Sequence, residues 1–178
     1  MHYSVIKKLD LADGPGVRVT LFVSGCTNHC EGCFQPQTWD FQYGIPFTSE
    51  TLDELLTALS LPYVAGLTIL GGEPMEPANQ PEILSILHRV RETYPSKTIW
   101  LFSGFTFEAL RTPGAYPRTI DTDAILACLD VLVDGPFILA EKDLMLRFRG
   151  SRNQRLLDMP ASLRKGIPVP WSDGTADR

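Results

Sequence analysis

No stretch of this 178-residue chain is apolar for long enough to cross a membrane as a helix. It has no basic start followed by an apolar run and a small-residue cleavage site. No secretory signal is therefore expected, and the chain is expected in the cytoplasm. Basic residues are in deficit, with 16 Lys and Arg against 21 Asp and Glu, for a net charge of −5. General nucleic-acid binding depends on neutralising phosphates, so that class is set aside. No internal repeat, low-complexity tract or linker divides the chain. A single domain over residues 1–166 is expected. The remaining stretch, 167–178 (IPVPWSDGTADR), combines Pro, Gly and charge and reads as a loose tail.

Cysteine is scarce and unevenly placed. Of four, Cys26, Cys30 and Cys33 crowd together and Cys128 stands far off. In a cytosolic chain such clustering points to metal or redox chemistry rather than to two disulfides. Cys128 lies in an apolar helical pattern and reads as a core cysteine.

The rest is ordinary for a globular protein, with 44% hydrophobic and 21% charged residues. The run Val17 to Val23 (VRVTLFV) is β-branched and apolar, so it reads as a buried strand. Leu67 to Leu70, Thr98 to Phe102 and Val131 to Val133 read as further strands. A fifth is placed near Leu146–Arg149 or Gln154–Leu157, and Tyr3 to Ile6 can add an edge. Between them, Thr48 or Ser49 caps a helix to about Leu59. Pro81 suits the start of another, and shorter helices are expected at about Phe107 to Leu110 and Thr122 to Leu129. Alternating strands and helices imply parallel strands joined by right-handed crossovers. Four or five such units are too few for a closed eight-stranded barrel. The expected fold is therefore α/β, an open partial (βα) barrel with mostly parallel strands. Glycine-rich or polar residues follow the strands at one end, where α/β folds carry their sites.

The cysteines are spaced C-x3-C-x2-C, directly after the first buried strand. Thiolates are the usual ligands of iron–sulfur clusters, and three of them on a [4Fe–4S] cube leave one iron open to substrate. The competing readings are a zinc site that adds His29, or three unrelated thiols. Structural zinc usually shows two ligand pairs, and the second pair is absent here.

This cysteine run after a strand resembles the signature of the radical S-adenosylmethionine superfamily. Further segments narrow the resemblance: DGPGVRVTLFVSGC (13–26), Thr38–Trp39, PFT (46–48), GGEP (71–74), VDGPF (133–137) and RGSRNQR (149–155). In that order they resemble the subfamily of glycyl-radical activases that serve the anaerobic ribonucleoside-triphosphate reductase. The resemblance implies an enzyme, with Cys26, Cys30 and Cys33 as cluster ligands and no catalytic residue beyond cluster and cofactor. It implies reductive cleavage of S-adenosylmethionine and a glycyl radical on the large reductase subunit as the outcome. An electron donor such as flavodoxin or ferredoxin is implied as a second partner.

It also places the cofactor. Gly71, Gly72 and Glu73 would hold the methionine amino group, which suits oxygen acceptors. Ser103 and Asp134, by position, would reach the ribose or sulfonium region. Arg149 or Asn153 would take the methionine carboxylate. Some relatives carry a lysine after the VDG segment where this chain has Pro136, so no role of that lysine transfers. Asp13–Gly16 reads as a turn, near the site in the resembled family. Phe34 and Trp39 could cover the cluster or pack in the core, and core packing is the expectation. Two rivals stay open: an activator or small radical enzyme with a different substrate, and a non-enzymatic iron–sulfur carrier.

Overall fold

A computed structural model describes residues 1–173. In chain order the elements are β1 (His2–Asp10), β2 (Val17–Val23), β3 (Ile45–Pro46), α1 (Ser49–Leu59), β4 (Val64–Gly71) and α2 (Gln80–Thr93). They continue with β5 (Thr98–Ser103), α3 (Phe107–Arg111), α4 (Thr122–Ala127), β6 (Val131–Asp134), β7 (Arg155–Asp158) and α5 (Met159–Lys165). The strands form one seven-stranded sheet in the order β3-β1-β2-β4-β5-β6-β7.

The fold is α/β, as expected, but the sheet is mixed, with its parallel strands confined to the middle. β2, β4, β5 and β6 run parallel through its middle. Both edges are antiparallel: β1 on β2, β3 on β1, and β7 on β6. Connection length explains the difference. Residues 11–16 are too short for a crossover, so β1 turns straight back into β2. Between β6 and β7 the chain forms only one short 3-10 helix, Leu139–Glu141, and returns along the neighbouring strand in the opposite sense. The fifth strand thus falls at the second of its two expected places, 155–158.

Alternation along the strands separates the two faces of the sheet. Val19, Leu21, Val23, Leu67, Ile69, Ile99, Leu101 and Leu132 pack with α1, α2 and α4 through Leu55, Leu59, Ile83, Ile86, Leu87 and Ile125 in the main core. On the other face, Trp100, Val131 and Val133 gather Phe102, Phe148, Leu156 and Trp171 into a smaller cluster. Arg18 is fully buried on that face. Its donors reach Thr68 Oγ1 at 2.6 Å, Thr98 Oγ1 at 2.9 Å and the carbonyls of Leu67 and Thr98 at 2.7 and 3.1 Å. With no carboxylate in that set, burial lowers its pKa to about 10.

The described part of the C-terminal stretch, 167–173, runs along β7. Asp158 N–H donates to the Val169 carbonyl at 2.9 Å and Trp171 N–H to that of Leu156 at 2.8 Å. The Trp171 ring meets Trp100 edge-on at 4.8 Å. The rest of the stretch expected to be loose, 174–178, lies outside the described residues. Among the described residues no helix is long and apolar enough to cross a membrane.

Candidate functional site

The parallel strands end together, and each releases one segment of the site. Val23 stands level with Gly71, and Ser103 level with Asp134. Above these ends lies a cavity of about 420 Å³. Cys26, Cys30 and Cys33 all line it, joined by Gly71, Gly72, Glu73, Ser103 and Arg149 from far along the chain. Its floor is Phe22, Leu70 and Phe102, the strand positions that alternate with the main core. Asp134 and Asn153 are not among its lining residues. A second cavity, of about 520 Å³, lies between the 147–157 segment and residues 168–173 and holds none of the cysteines.

Close backbone contact fixes the turn after β4 against the cysteine loop. Gly72 N–H donates to the Val23 carbonyl at 2.7 Å and Glu73 N–H to that of Gly25 at 2.8 Å. A Cβ on Gly72 would stand 2.6 Å from the Gly25 carbonyl oxygen, closer than any side chain can come. Gly25 itself, at φ +94°, turns the chain out of β2 into the loop, in a conformation that favours glycine.

Cys26 is buried, while Cys30 and Cys33 are partly exposed, and all three are free thiols. Burial pushes the Cys26 thiol up to about 11 and raises that of Cys30 as well. Thiols in such surroundings ionise when a cationic centre takes the thiolate, with release of the proton. Among the described residues no three His, Cys, Asp or Glu side chains are gathered to hold a single metal ion. The His29 ring stacks on Trp39 at 4.5 Å. Three sulfur donors spread around one cavity suit a cluster, whose irons each take a separate thiolate.

Glu73 is 1% exposed, and all its acceptor sites are in use. Oε1 accepts from Met75 N–H at 2.9 Å and the Ser103 hydroxyl at 2.8 Å. Oε2 accepts from Gly104 N–H at 2.6 Å and the Asn28 amide at 3.0 Å. Burial raises its pKa to about 7 despite these bonds. Its carboxylate therefore ties the ends of β4 and β5 to the cysteine loop.

Asp134 is fully buried, and its partners are likewise protein. Phe107 N–H donates to Oδ2 at 2.6 Å, and Arg155 grips both oxygens through Nε at 2.9 Å and Nη2 at 2.6 Å. Asn153 donates to the Pro136 carbonyl at 2.7 Å and accepts from the Ser151 hydroxyl at 2.7 Å. Gln154 accepts from Gly150 and Ser151 N–H and donates to the Gly135 carbonyl. The 149–155 run thus folds on itself and braces the loop after β6, with Arg149 on the cavity side.

Other placements depart from expectation. Phe34 is 65% exposed rather than in the core. It packs on Phe137 at 5.5 Å on the cavity rim. Trp39 lines the cavity. Both follow the cysteines, Phe34 in a loop and Trp39 at the end of a one-turn 3-10 helix (Pro36–Trp39), too short for periodicity to mark an inward face. Cys128 is partly buried at the edge of the main core. Asp13, in the turn expected near the site, lines the cavity. Sequence reasoning missed Asn28, Glu76, Asn79 and Arg155. Asn79 donates to the Ser24 and Glu73 carbonyls, both at 3.0 Å. The available signal was the second carboxylate three residues beyond Glu73, which one turn presents on the same side.

Comparison with known proteins agrees with this geometry. A family model described as a 4Fe-4S single cluster domain matches residues 12–157. The chain is 40% identical over 158 residues to the anaerobic ribonucleoside-triphosphate reductase-activating protein of Enterobacteria phage T4, covering 88% of this chain and 93% of that one. It is 39% identical over 156 residues to the protein of the same description from Vibrio cholerae, covering 86% and 96%. Against that of Escherichia coli it is 37% identical over 156 residues, with the same coverage.

Proposed function

Because the chain belongs to the family of anaerobic ribonucleoside-triphosphate reductase-activating proteins and its residues 12–157 match a 4Fe-4S single cluster domain, we propose that it is a radical S-adenosylmethionine activase. Its product would be a glycyl radical on the large subunit of that reductase. One observation carries the reading: three free cysteines at C-x3-C-x2-C spacing line the same cavity as the Gly71–Glu73 turn. Cys26, Cys30 and Cys33 would hold three irons of a [4Fe–4S] cluster. When bound, the cluster would supply an electron for reductive cleavage of S-adenosylmethionine, the radical chemistry by which a reductase glycine would lose its hydrogen.

The chain's own part is to bind, orient and exclude water. The Gly71–Gly72–Glu73 turn would receive the methionine amino group beside the cysteines. Glu73 contributes by setting the turn and the loop against each other, and Ser103 stands next to it. Arg149, on the cavity wall, would take the carboxylate. Asp134 and Asn153 act one step back, holding α3 and the loop after β6 in place. Phe22, Leu70 and Phe102 give the site an apolar floor that keeps water from a reactive species. The two edge strands, β3 and β7, do not pair, and we read the sheet as an open partial barrel whose mouth admits a protein segment. The activase would work in the cytoplasm and draw electrons from a flavodoxin or ferredoxin.

The test is anaerobic reconstitution with iron and sulfide, reduction, and addition of S-adenosylmethionine with and without the reductase. Release of 5′-deoxyadenosine and a glycyl-radical signal on the reductase are expected, both dependent on the three cysteines. A verified, reduced cluster that yields neither with the reductase present would leave an iron–sulfur carrier as the better reading.

A further inference from the structure

Three residues separate Cys26 from Cys30, and no helix or strand holds the backbone there. Two of the three are fastened by carboxylates from one turn. Glu73 takes the Asn28 amide. Glu76 takes Thr27, whose backbone N–H and hydroxyl both donate to Oε1, at 2.8 and 2.6 Å. Thr27 is exposed, whereas Glu76 is only 1% exposed. The second oxygen of Glu76 accepts from the Tyr116 hydroxyl. Tyr116 is 58% exposed and meets Phe105 edge-on at 5.8 Å. Its segment is anchored to α2 by Gln80, which donates to the Pro117 carbonyl and accepts from the Thr119 and Thr122 hydroxyls.

We propose that Glu76 is a positioning residue for the iron–sulfur cluster: it fixes the Cys26–Cys30 loop through Thr27, and Tyr116 fixes Glu76. The inference rests on the cluster reading given above. A ligand loop without regular structure holds its thiolates in place only if a supporting shell removes its freedom. A carboxylate with both oxygens committed has one orientation, so Thr27 inherits one position. The buried negative charge has a second effect. It opposes the addition of an electron to a cluster beside Cys26, and so makes the reduced cluster a stronger reductant.

Glu76→Ala and Glu76→Gln separate these effects. Alanine removes both bonds and the charge. Glutamine removes the charge but keeps an oxygen for Thr27, and its amide can donate to the Tyr116 oxygen. Each variant would be loaded with cluster anaerobically, and iron release to a chelator timed from the loss of colour. Glu76→Ala should release iron about 10-fold faster than the native chain, as loss of an outer-shell partner does at other metal sites. Glu76→Gln should release it at close to the native rate, while its cluster titrates at a more positive midpoint potential. Circular dichroism and cooperative unfolding check that cluster-free Glu76→Ala is folded. If it is not, Thr27→Val carries the test, since it removes one surface bond and should still release iron faster than native. The proposal is overturned by native release rates in folded Glu76→Ala, or in Thr27→Val where the alanine variant does not fold. It is equally overturned if Glu76→Gln releases iron as fast as Glu76→Ala, and its electrostatic half by an unchanged potential in Glu76→Gln. A native chain that takes up no cluster would overturn the proposed function instead.

Discussion

Asp134→Asn removes the charge from a buried carboxylate that joins three elements without altering its shape. The amide has two orientations. With its NH2 in the place of Oδ2 it confronts both Phe107 N–H and Arg155 Nη2. With its NH2 in the place of Oδ1 it confronts Arg155 Nε alone. The second loses one hydrogen bond and is the orientation expected. A buried hydrogen bond to a charged group contributes about 1.5–3 kcal/mol. Removing one member of a fully buried ion pair costs more, about 3–5 kcal/mol. Arg155, however, keeps Glu108 through bonds of 3.0 and 2.7 Å, and its side chain is 37% exposed. A loss of about 2 kcal/mol is therefore expected for Asp134→Asn, within the first range and below the second. Asp134→Ala also strands the buried Phe107 N–H and should cost about 4 kcal/mol. Glu108 is about half exposed, so Glu108→Gln alone should cost under about 1 kcal/mol. It should cost more when Asp134 is already Asn, because Arg155 then has no other carboxylate. Urea unfolding of the cluster-free chains, followed by tryptophan fluorescence, measures all four variants from their midpoints at a common slope. S-adenosylmethionine affinity of the loaded Asp134→Asn protein should stay close to native. Unchanged stability together with lost cofactor binding would refute the reasoning and give Asp134 a direct contact with the cofactor.

The other expectations follow the same geometry. Cys30→Ala should lose visible absorption and most of its iron after anaerobic reconstitution, whereas Cys128→Ala should load normally; equal loading of both would remove Cys30 from the ligand set. Glu73→Gln must turn its NH2 toward either Met75 N–H or Gly104 N–H, since both oxygens of Glu73 serve a backbone donor. A loss of about 1–3 kcal/mol in urea unfolding is expected, with weaker S-adenosylmethionine binding and a retained cluster. Native values for both stability and binding would take Glu73 out of the site. Burial and the neighbouring Asp10 raise the Asp13 carboxyl from 3.8 to about 7. Between those values the folded chain holds a proton that the unfolded chain has released, so this group makes stability fall as pH rises through that window. Asp13→Asn should flatten the decline in a series of urea midpoints across it, and an unchanged slope would contradict the pairing with Asp10.

Much of the parallel half of the sheet was legible in the chain. VRVTLFV reads as a buried strand because five of its seven residues are apolar and it is rich in β-branched side chains. The turns after the strands announced themselves through glycine and proline. β7 was harder, since Arg155–Asp158 is short, half polar and antiparallel. Its pairing comes from a neighbour, β6, and not from its own pattern. The stretch at 167–173 reads as loose by composition, yet its backbone bonds to β7 and its Trp171 to Trp100 depend on an exposed strand edge that no local sequence reveals.

The site divides the same way. The three cysteines and the GGEP turn could be read from the chain alone, because their chemistry lies in residue type and in spacings of a few residues. What surrounds them follows from the way distant segments are brought together. Thr27 and Glu76 are 49 positions apart, Glu76 and Tyr116 are 40 apart, and Asp134 and Arg155 are 21 apart. Each residue alone is a polar side chain of a common kind. Its role comes from which strand ends lie side by side, and that is set by a sheet order in which β2 meets β4, and β6 meets β7. In that fold Asp134 and Asn153 lie outside the cavity lining and hydrogen-bond to the loops around it.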